Sequence, residues 1–274
     1  MTTVKIAWFG KHFGEEPALV GDETQGAGAI FFTGCNLKCV FCQNYQISQV
    51  KIGRERSASE LVEIMLELQA QGAVNIDLVS PTIWRLQLKQ AIPIARQSGL
   101  TIPIVWNSNA YESVEIIKSM DGLIDIYLPD FKYGDNAVAL KYSSAPRYVE
   151  IARQAVEEMF RQVGDIQFDE RGVAQKGLIV RHLILPGQVK NSLRALEQIA
   201  AIDKNIAVSL MRQYYPVYRA SEFDEINRFV REDEWQKVFD YLCELGLENG
   251  WTQEADCQRI WSPDFHQSNP FSRA

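Results

Sequence analysis

The chain has 274 residues, 46% of them hydrophobic and 23% charged, with a formal net charge of −7. That is enough apolar material for one large domain or two small ones, and the acidic balance with no long basic stripe disfavours nucleic acid, whose affinity comes mostly from phosphate neutralisation. The N-terminus MTTVKIAWFG carries no basic-then-apolar leader and no run approaches eighteen apolar residues, so neither a secretory signal nor a membrane span is expected, and the expected location is cytoplasmic.

Residues 1–27 precede the first predicted strand and are expected to form an N-terminal extension that caps the far end or one edge of the fold. Within it, GEEP at 14–17 reads as a solvated acidic loop or as a binder of a cationic substrate. The first apolar run, at 28–33, leads directly into GCNLKCVFCQNY, which puts Cys35, Cys39 and Cys42 within eight positions. SASELVEIMLELQAQG then opens on a capping box, Ser57 to Glu60, and stops at Gly72, with Leu61, Ile64, Met65 and Leu68 on one helical face.

Further short runs follow at 74–80, 101–106, 123–128, 176–185 and 205–211. They are rich in Ile and Val and lack clean alternation, as strands buried on both faces of a parallel sheet do. Amphipathic helices fall between them. RYVEIARQAVEEMFRQVG turns Tyr148, Ile151, Ala155 and Met159 inward and stops at Gly164, and SLRALEQIAAI groups Leu193, Leu196 and Ile199. SSAP at 143–146 interrupts the fourth helical unit, so two helices are expected before the fifth strand. After residue 212, DEWQKVFDYLCELG is a helix with Trp235, Val238, Phe239 and Leu242 on one side, and the tail from Trp251 reads as irregular and aromatic.

Six strands alternating with helices predict right-handed βαβ units and a parallel sheet. The fold class is α/β, closing into a partial (β/α)6 TIM-like barrel over residues 28–215 with a C-terminal cover over 216–274. A doubly wound open sheet competes with it. Either way, functional groups belong in the loops just after strands, which is where the cysteine loop lies.

Thiols stay reduced in the cytosol, so three close cysteines read as a metal or redox site. Soft thiolates select zinc, copper(I) or iron–sulfur clusters, and structural zinc is nearly always closed by four ligands from paired elements. No second pair accompanies the C-x3-C-x2-C run, and the three histidines are His12, His182 and His266. A [4Fe–4S] cluster on three cysteines leaves one iron open, and an open position on a metal is where chemistry happens. The different-class reading is a non-catalytic zinc or iron–sulfur module that binds a partner.

The run Cys35, Cys39, Phe41, Cys42 resembles the signature of the radical S-adenosylmethionine (SAM) enzymes. The resemblance implies a partial barrel, a [4Fe–4S] cluster on these three cysteines, and SAM on the open iron with Phe41 beside its adenine. It also implies reductive cleavage of SAM to a 5′-deoxyadenosyl radical that abstracts hydrogen, and a low-potential electron donor of the flavodoxin or ferredoxin type. YLPDFKYG, with Asp130-x-Lys132, and IVRHLILPG, with Arg181, are similar to stretches of the glycyl-radical-enzyme activating group related to pyruvate formate-lyase activase. That similarity places Asp130, Lys132 and Arg181 near SAM. It implies a protein or peptide glycine as substrate, with another peptide or a small metabolite as the alternative.

One departure stands out. Where such activases carry Gly-Gly-Glu, this chain has LVSPT, so Ser80 and the backbone carbonyls are the available acceptors. The histidine those enzymes place after the sixth strand is replaced by Gln213 and Tyr214. Asn107, Ser108 and Asn109 end the third strand, where they would hydrogen-bond SAM or merely make a turn. Cys243 and Cys257 read as buried small hydrophobes, with a second cluster or a disulfide as the alternative. His182 reads as a core histidine, with proton transfer as its alternative. The tyrosines of QYYPVYRASEF line the substrate opening or pack under the C-terminal helix.

Overall fold

A computed structural model of the chain describes residues 3–253 and 263–271. Its strands are β1 (Thr3–His12), β2 (Ala27–Phe32), β3 (Arg54–Ser57), β4 (Ile76–Val79), β5 (Ile104–Ser108), β6 (Ile126–Pro129), β7 (Gln167–Phe168), β8 (Ala174–Leu183), β9 (Ala207–Met211) and β10 (Gly250–Thr252). The α-helices are α1 (Pro17–Val20), α2 (Tyr45–Ser48), α3 (Ala58–Ala70), α4 (Arg85–Gln97), α5 (Val114–Lys118), α6 (Asn136–Ser143), α7 (Tyr148–Val163), α8 (Val189–Ile202) and α9 (Glu232–Glu244). Among the described residues no helix is long and apolar enough to cross a membrane.

The six predicted strands are β2, β4, β5, β6, β8 and β9. They pair in parallel and in chain order. A doubly wound sheet reverses its strand order at a switch point; this order never reverses, so each βα unit advances the same way around an unclosed, barrel-like sheet. β2, β4, β5, β6 and β9 are buried along their whole length, and β8 along its centre, because helices cover one face and the interior packs the other. The capping box at Ser57 forms as expected, and α6 and α7 are the two helices before β8.

Four strands lie beyond the expected set: β1, its antiparallel partner β3, the short β7 that pairs antiparallel with β8, and β10. β1 runs antiparallel to β2 on one side and to β3 on the other. Only its start alternates, with Val4 and Ile6 buried and the middle half-covered, which is why no strand period shows there. β10 joins β9 in parallel at the opposite edge, so the tail after Gly250 begins as a strand rather than as irregular chain.

The interior is plugged from the amino ends of the strands. Ala18 and Leu19 of α1 pack with Val105, Ile126, Leu128, Ile179 and Ala207, and Asn75 Nδ2 donates to the Leu19 carbonyl at 2.8 Å. Phe265 and Phe271 pack against Phe31 of β2 and Trp8 of β1. Gln46 ties this segment down, donating to Asp264 at 3.1 Å and accepting from the Phe265 amide at 2.6 Å. Among the described residues, a cavity lies at the carboxyl ends of the strands.

Candidate functional site

The cysteine loop leaves β2 through Gly34, whose φ of +92° suits glycine and whose added Cβ would meet the Ile83 side chain at 2.6 Å. The loop is held by backbone pairing rather than by a helix: Lys38 N–H donates to the Ser143 carbonyl and Val40 N–H to the Tyr142 carbonyl, both at the end of α6. Arg219 N–H donates to the Val40 carbonyl from the segment after β9. The SSAP interruption therefore frees the end of α6 to clamp this loop.

Cys35, Cys39 and Cys42 line one cavity of about 200 Å3. Phe41, Ser80, Asn107, Asn109, Asp130, Lys132 and Arg181 line the same cavity, so the residues expected to hold the cluster and its cofactor face one space. Gln213 and Tyr214 line it as well, with His12, Glu15, Pro263 and Phe271, which sequence reading did not assign there.

Its polar wall is organised around Arg181, on β8. Arg181 Nε donates to Asp130 Oδ1 at 2.7 Å, Nη1 to Glu15 Oε2 at 2.7 Å and Nη2 to Asn107 Oδ1 at 2.6 Å. Lys132 Nζ donates to the other Asp130 oxygen at 2.5 Å. Burial alone would raise the Asp130 carboxyl, but the Arg181 and Lys132 cations outweigh it and hold Asp130 below the usual carboxylate range. Burial likewise opposes charge on Lys132, and the neighbouring Asp130 restores it. Deeper in, burial raises the Glu15, Glu16 and Asp77 carboxyls, with Arg181 pulling the other way.

The acidic loop at 14–17 is thus not solvated. Glu15 and Glu16 are buried against Arg181 because the chain turns there to plug the interior. Acidic residues next to a proline carry no sequence signal for this; only the partner arginine, 166 positions away, creates it.

Ser80 follows β4 at φ +60°, a conformation that costs a non-glycine residue on the order of 1 kcal/mol. Its amide donates to the Asn107 carbonyl at 2.9 Å. Asn107 is already engaged by Arg181 and by Asp77, and Ser108 is a strut, donating to buried Glu112 at 2.6 Å. Asn109 Nδ2 reaches Cys35 Sγ at 3.3 Å. The Phe41 ring lies 5.7 Å from that of Tyr214, whose hydroxyl donates to the Ile226 carbonyl. Tyr215 also lines the cavity, as expected for the opening, while Tyr218 is exposed and stacks on Tyr45 of α2, in neither of the two expected places.

A further residue was missed. The Tyr148 hydroxyl accepts from the Lys132 amide at 2.9 Å and lies 2.8–2.9 Å from the Asp130 and Asn109 carbonyls, tying the ends of β5 and β6 together. It registered only as one apolar position on a helix face. His182 is a core residue, donating through Nδ1 to the Phe131 carbonyl at 2.7 Å. Cys243 is exposed on α9 rather than buried, because it falls on the outward side of that helix. Cys257 lies outside the described residues.

The Radical SAM superfamily profile matches residues 29–196, which contain the cysteine loop, Asp130, Lys132 and Arg181. The protein MJ0674 of Methanocaldococcus jannaschii is 30% identical over 247 residues, covering 86% of this chain and 66% of its own length. Among solved structures, the FeFe-hydrogenase maturase HydG from Carboxydothermus hydrogenoformans superposes with a TM-score of 0.56 at 15% identity, over 80% of this chain and 50% of HydG. Methylornithine synthase superposes with a TM-score of 0.53 at 13% identity, over 80% of this chain and 68% of that one. The two superpositions concern the fold. This chain spans just under two thirds of MJ0674 and half of HydG.

Proposed function

The chain belongs to the radical SAM superfamily, and from that premise we propose that the cavity under the cysteine loop binds SAM and works as a hydrogen-abstracting active site. Superfamily membership makes the chain an enzyme of radical redox chemistry, with a [4Fe–4S] cluster and SAM as its cofactors. Bound together, the two supply a one-electron cleavage of SAM to methionine and a 5′-deoxyadenosyl radical that takes a hydrogen atom from substrate.

One observation carries the reading: three cysteine sulfurs and the Asp130–Lys132–Arg181 group line a single cavity at the carboxyl ends of parallel strands. Among the described residues, no three His, Cys, Asp or Glu side chains converge on one ion position. A polynuclear cluster takes each thiolate on a different iron and needs no such point. The donor set fits the cluster: three soft sulfurs, all with neighbouring polar groups aimed at them.

In this reading Cys35, Cys39 and Cys42 each hold one iron. Phe41 packs against the adenine side, and Ser80, Asn107 and Asn109 offer acceptors and donors along the wall. Asp130 and Lys132 keep charge of both signs beside the cofactor, and Arg181 fixes Asp130 in place. Residues 28–215 form the catalytic core, 1–27 its N-terminal extension and 216–274 its cover, with a low-potential flavodoxin or ferredoxin type protein as donor.

The resemblance to activating enzymes favours a protein or peptide glycine as substrate. A small metabolite is the second reading, and a specific observation favours it: Pro263 and Phe271 line the cavity from the C-terminal segment that packs on β1 and β2, narrowing the way in for a chain. The test is anaerobic reconstitution with iron and sulfide, then incubation with SAM and dithionite. Release of 5′-deoxyadenosine and methionine is expected. Intact SAM with a fully assembled cluster would overturn the reading.

A further inference from the structure

Each cysteine of the loop has its own neutral hydrogen-bond donor, drawn from a different element. Ser143, the last residue of α6, donates from Oγ to Cys39 Sγ at 2.9 Å. Ser48, the last residue of α2, lies 3.2 Å from Cys42 Sγ through its Oγ. Asn109, just past β5, donates from Nδ2 to Cys35 Sγ at 3.3 Å. Each sulfur thus has a side-chain donor of its own, and Cys35 Sγ accepts from the Leu37 amide as well, at 3.4 Å.

The direction of these bonds follows from the ligand chemistry. A cysteine that holds iron has lost its proton and can only accept. The Ser48 and Ser143 hydroxyls must then both point at sulfur. With its hydrogen committed, the Ser143 oxygen is free to accept, and the Tyr133 hydroxyl lies within hydrogen-bond reach of it. This gives a directed chain from Tyr133 through Ser143 to Cys39. A parallel chain runs from Gln49 Nε2 through Ser48 Oγ, at 3.3 Å, to Cys42. Asn109 is oriented by Asn36, whose Oδ1 accepts from the same Nδ2 at 2.7 Å, and by the Tyr111 amide, which donates to Asn109 Oδ1 at 3.0 Å. Tyr133 and Ser143 are buried, so bulk water does not reach the hydroxyls of the chain that ends on Cys39.

A donor aimed at a ligand sulfur withdraws charge from it and favours the state of the cluster with one more electron. Chained donors polarise one another and strengthen that effect. We propose that Ser143, Ser48 and Asn109 are positioning residues that raise the reduction potential of the cluster, with Ser143 the strongest because its bond is the shortest and the most deeply buried. The proposal rests on the radical SAM reading above, since it concerns how readily that cluster accepts one electron from the external donor. It also gives SSAP a purpose: ending the helix at Ser143 delivers that hydroxyl to Cys39 and the adjoining carbonyls to the loop backbone.

The experiment is a potentiometric titration of the full-length reconstituted protein, followed by the spin signal of the reduced cluster, with iron and sulfide measured on each sample. Ser143→Ala with full iron content is expected to have a lower midpoint potential than the wild type, and Ser143→Thr, which keeps the hydroxyl, to recover it. Ser48→Ala and Tyr133→Phe are expected to lower it by smaller amounts. If Ser143→Ala fails to hold full iron, the Ser48→Ala and Tyr133→Phe proteins carry the comparison. Unchanged potentials in iron-replete variants overturn the proposal. If the wild type itself assembles no cluster, the reading beneath the proposal fails, and the iron and sulfide analysis distinguishes the two failures.

Discussion

Arg181 on β8 and Asp130 at the end of β6 are joined twice, once by a 2.7 Å ion pair between Nε and Oδ1 and once through the backbone, where the two residues form a β-bridge. The pair is nearly enclosed, and Arg181 also neutralises Glu15. Removing Arg181 strips Glu15 of its cation while Asp130 keeps Lys132, and leaving one charge of a buried pair without compensation costs about 3–5 kcal/mol. Arg181→Met is therefore expected to lower unfolding stability by about that amount in urea denaturation. A loss under about 1 kcal/mol would mean that Asp130 and Glu15 shed their charges by taking up protons instead.

The five cysteines should divide sharply in function. Cys39 is the most buried of the loop trio, and burial pushes its thiol up to about 12, so metal binding must supply the energy of deprotonation. Cys39→Ala is expected to abolish iron retention and visible absorption after reconstitution. Cys243→Ala, altering an exposed thiol on α9, is expected to leave both unchanged. Iron analysis of the two purified variants decides the point.

Tyr148→Phe removes one oxygen from the junction between β5 and β6. The buried Lys132 amide loses its acceptor, a change worth about 1–3 kcal/mol. The apolar ring stays, including its stack on Tyr111, so the fold should persist with a stability loss of that size. Weaker SAM binding by equilibrium dialysis is the accompanying expectation, because Lys132 and Asn109 both lose their tether.

His182 gives a pH dependence of known sign. Burial lowers its pKa from the ordinary 6.5 to about 4. Between those values the unfolded chain binds more protons than the native one. The stability from neutral His182 is therefore fully present above pH 6.5 and is lost as the pH falls toward 4. The stability difference between wild type and His182→Gln should shift against the wild type by about 2 kcal/mol on going from pH 7 to pH 5. Paired denaturation curves at the two pH values measure it, and parallel behaviour of the two proteins would contradict it.

Much of this was legible in the one-dimensional chain. Short unalternating Ile- and Val-rich runs identified the six parallel strands, since burial on both faces erases the period of two. The 3.6-residue period and the Ser57–Glu60 box identified the helices between them. The Cys35, Cys39, Cys42 spacing located the site, because ligands within one loop are local in sequence. β1 escaped because its middle is half-covered and shows no period. Cys243 escaped because a cysteine beside apolar neighbours gives no sign of which way the helix turns it.

What only the tertiary structure decided depends on partners distant in the chain. Glu15 is a buried ion-pair partner and not a solvated residue because Arg181 stands opposite it, 166 positions on. Ser143 reaches Cys39 across 104 positions, and Asn109 reaches Cys35 across 74. A side chain's own type fixes what it can donate or accept, and so the sequence determined the chemistry available. Burial and partner choice arise only when packing excludes water and brings separate strands to one cavity, and so the fold determined which of those groups are charged, paired and aimed at sulfur.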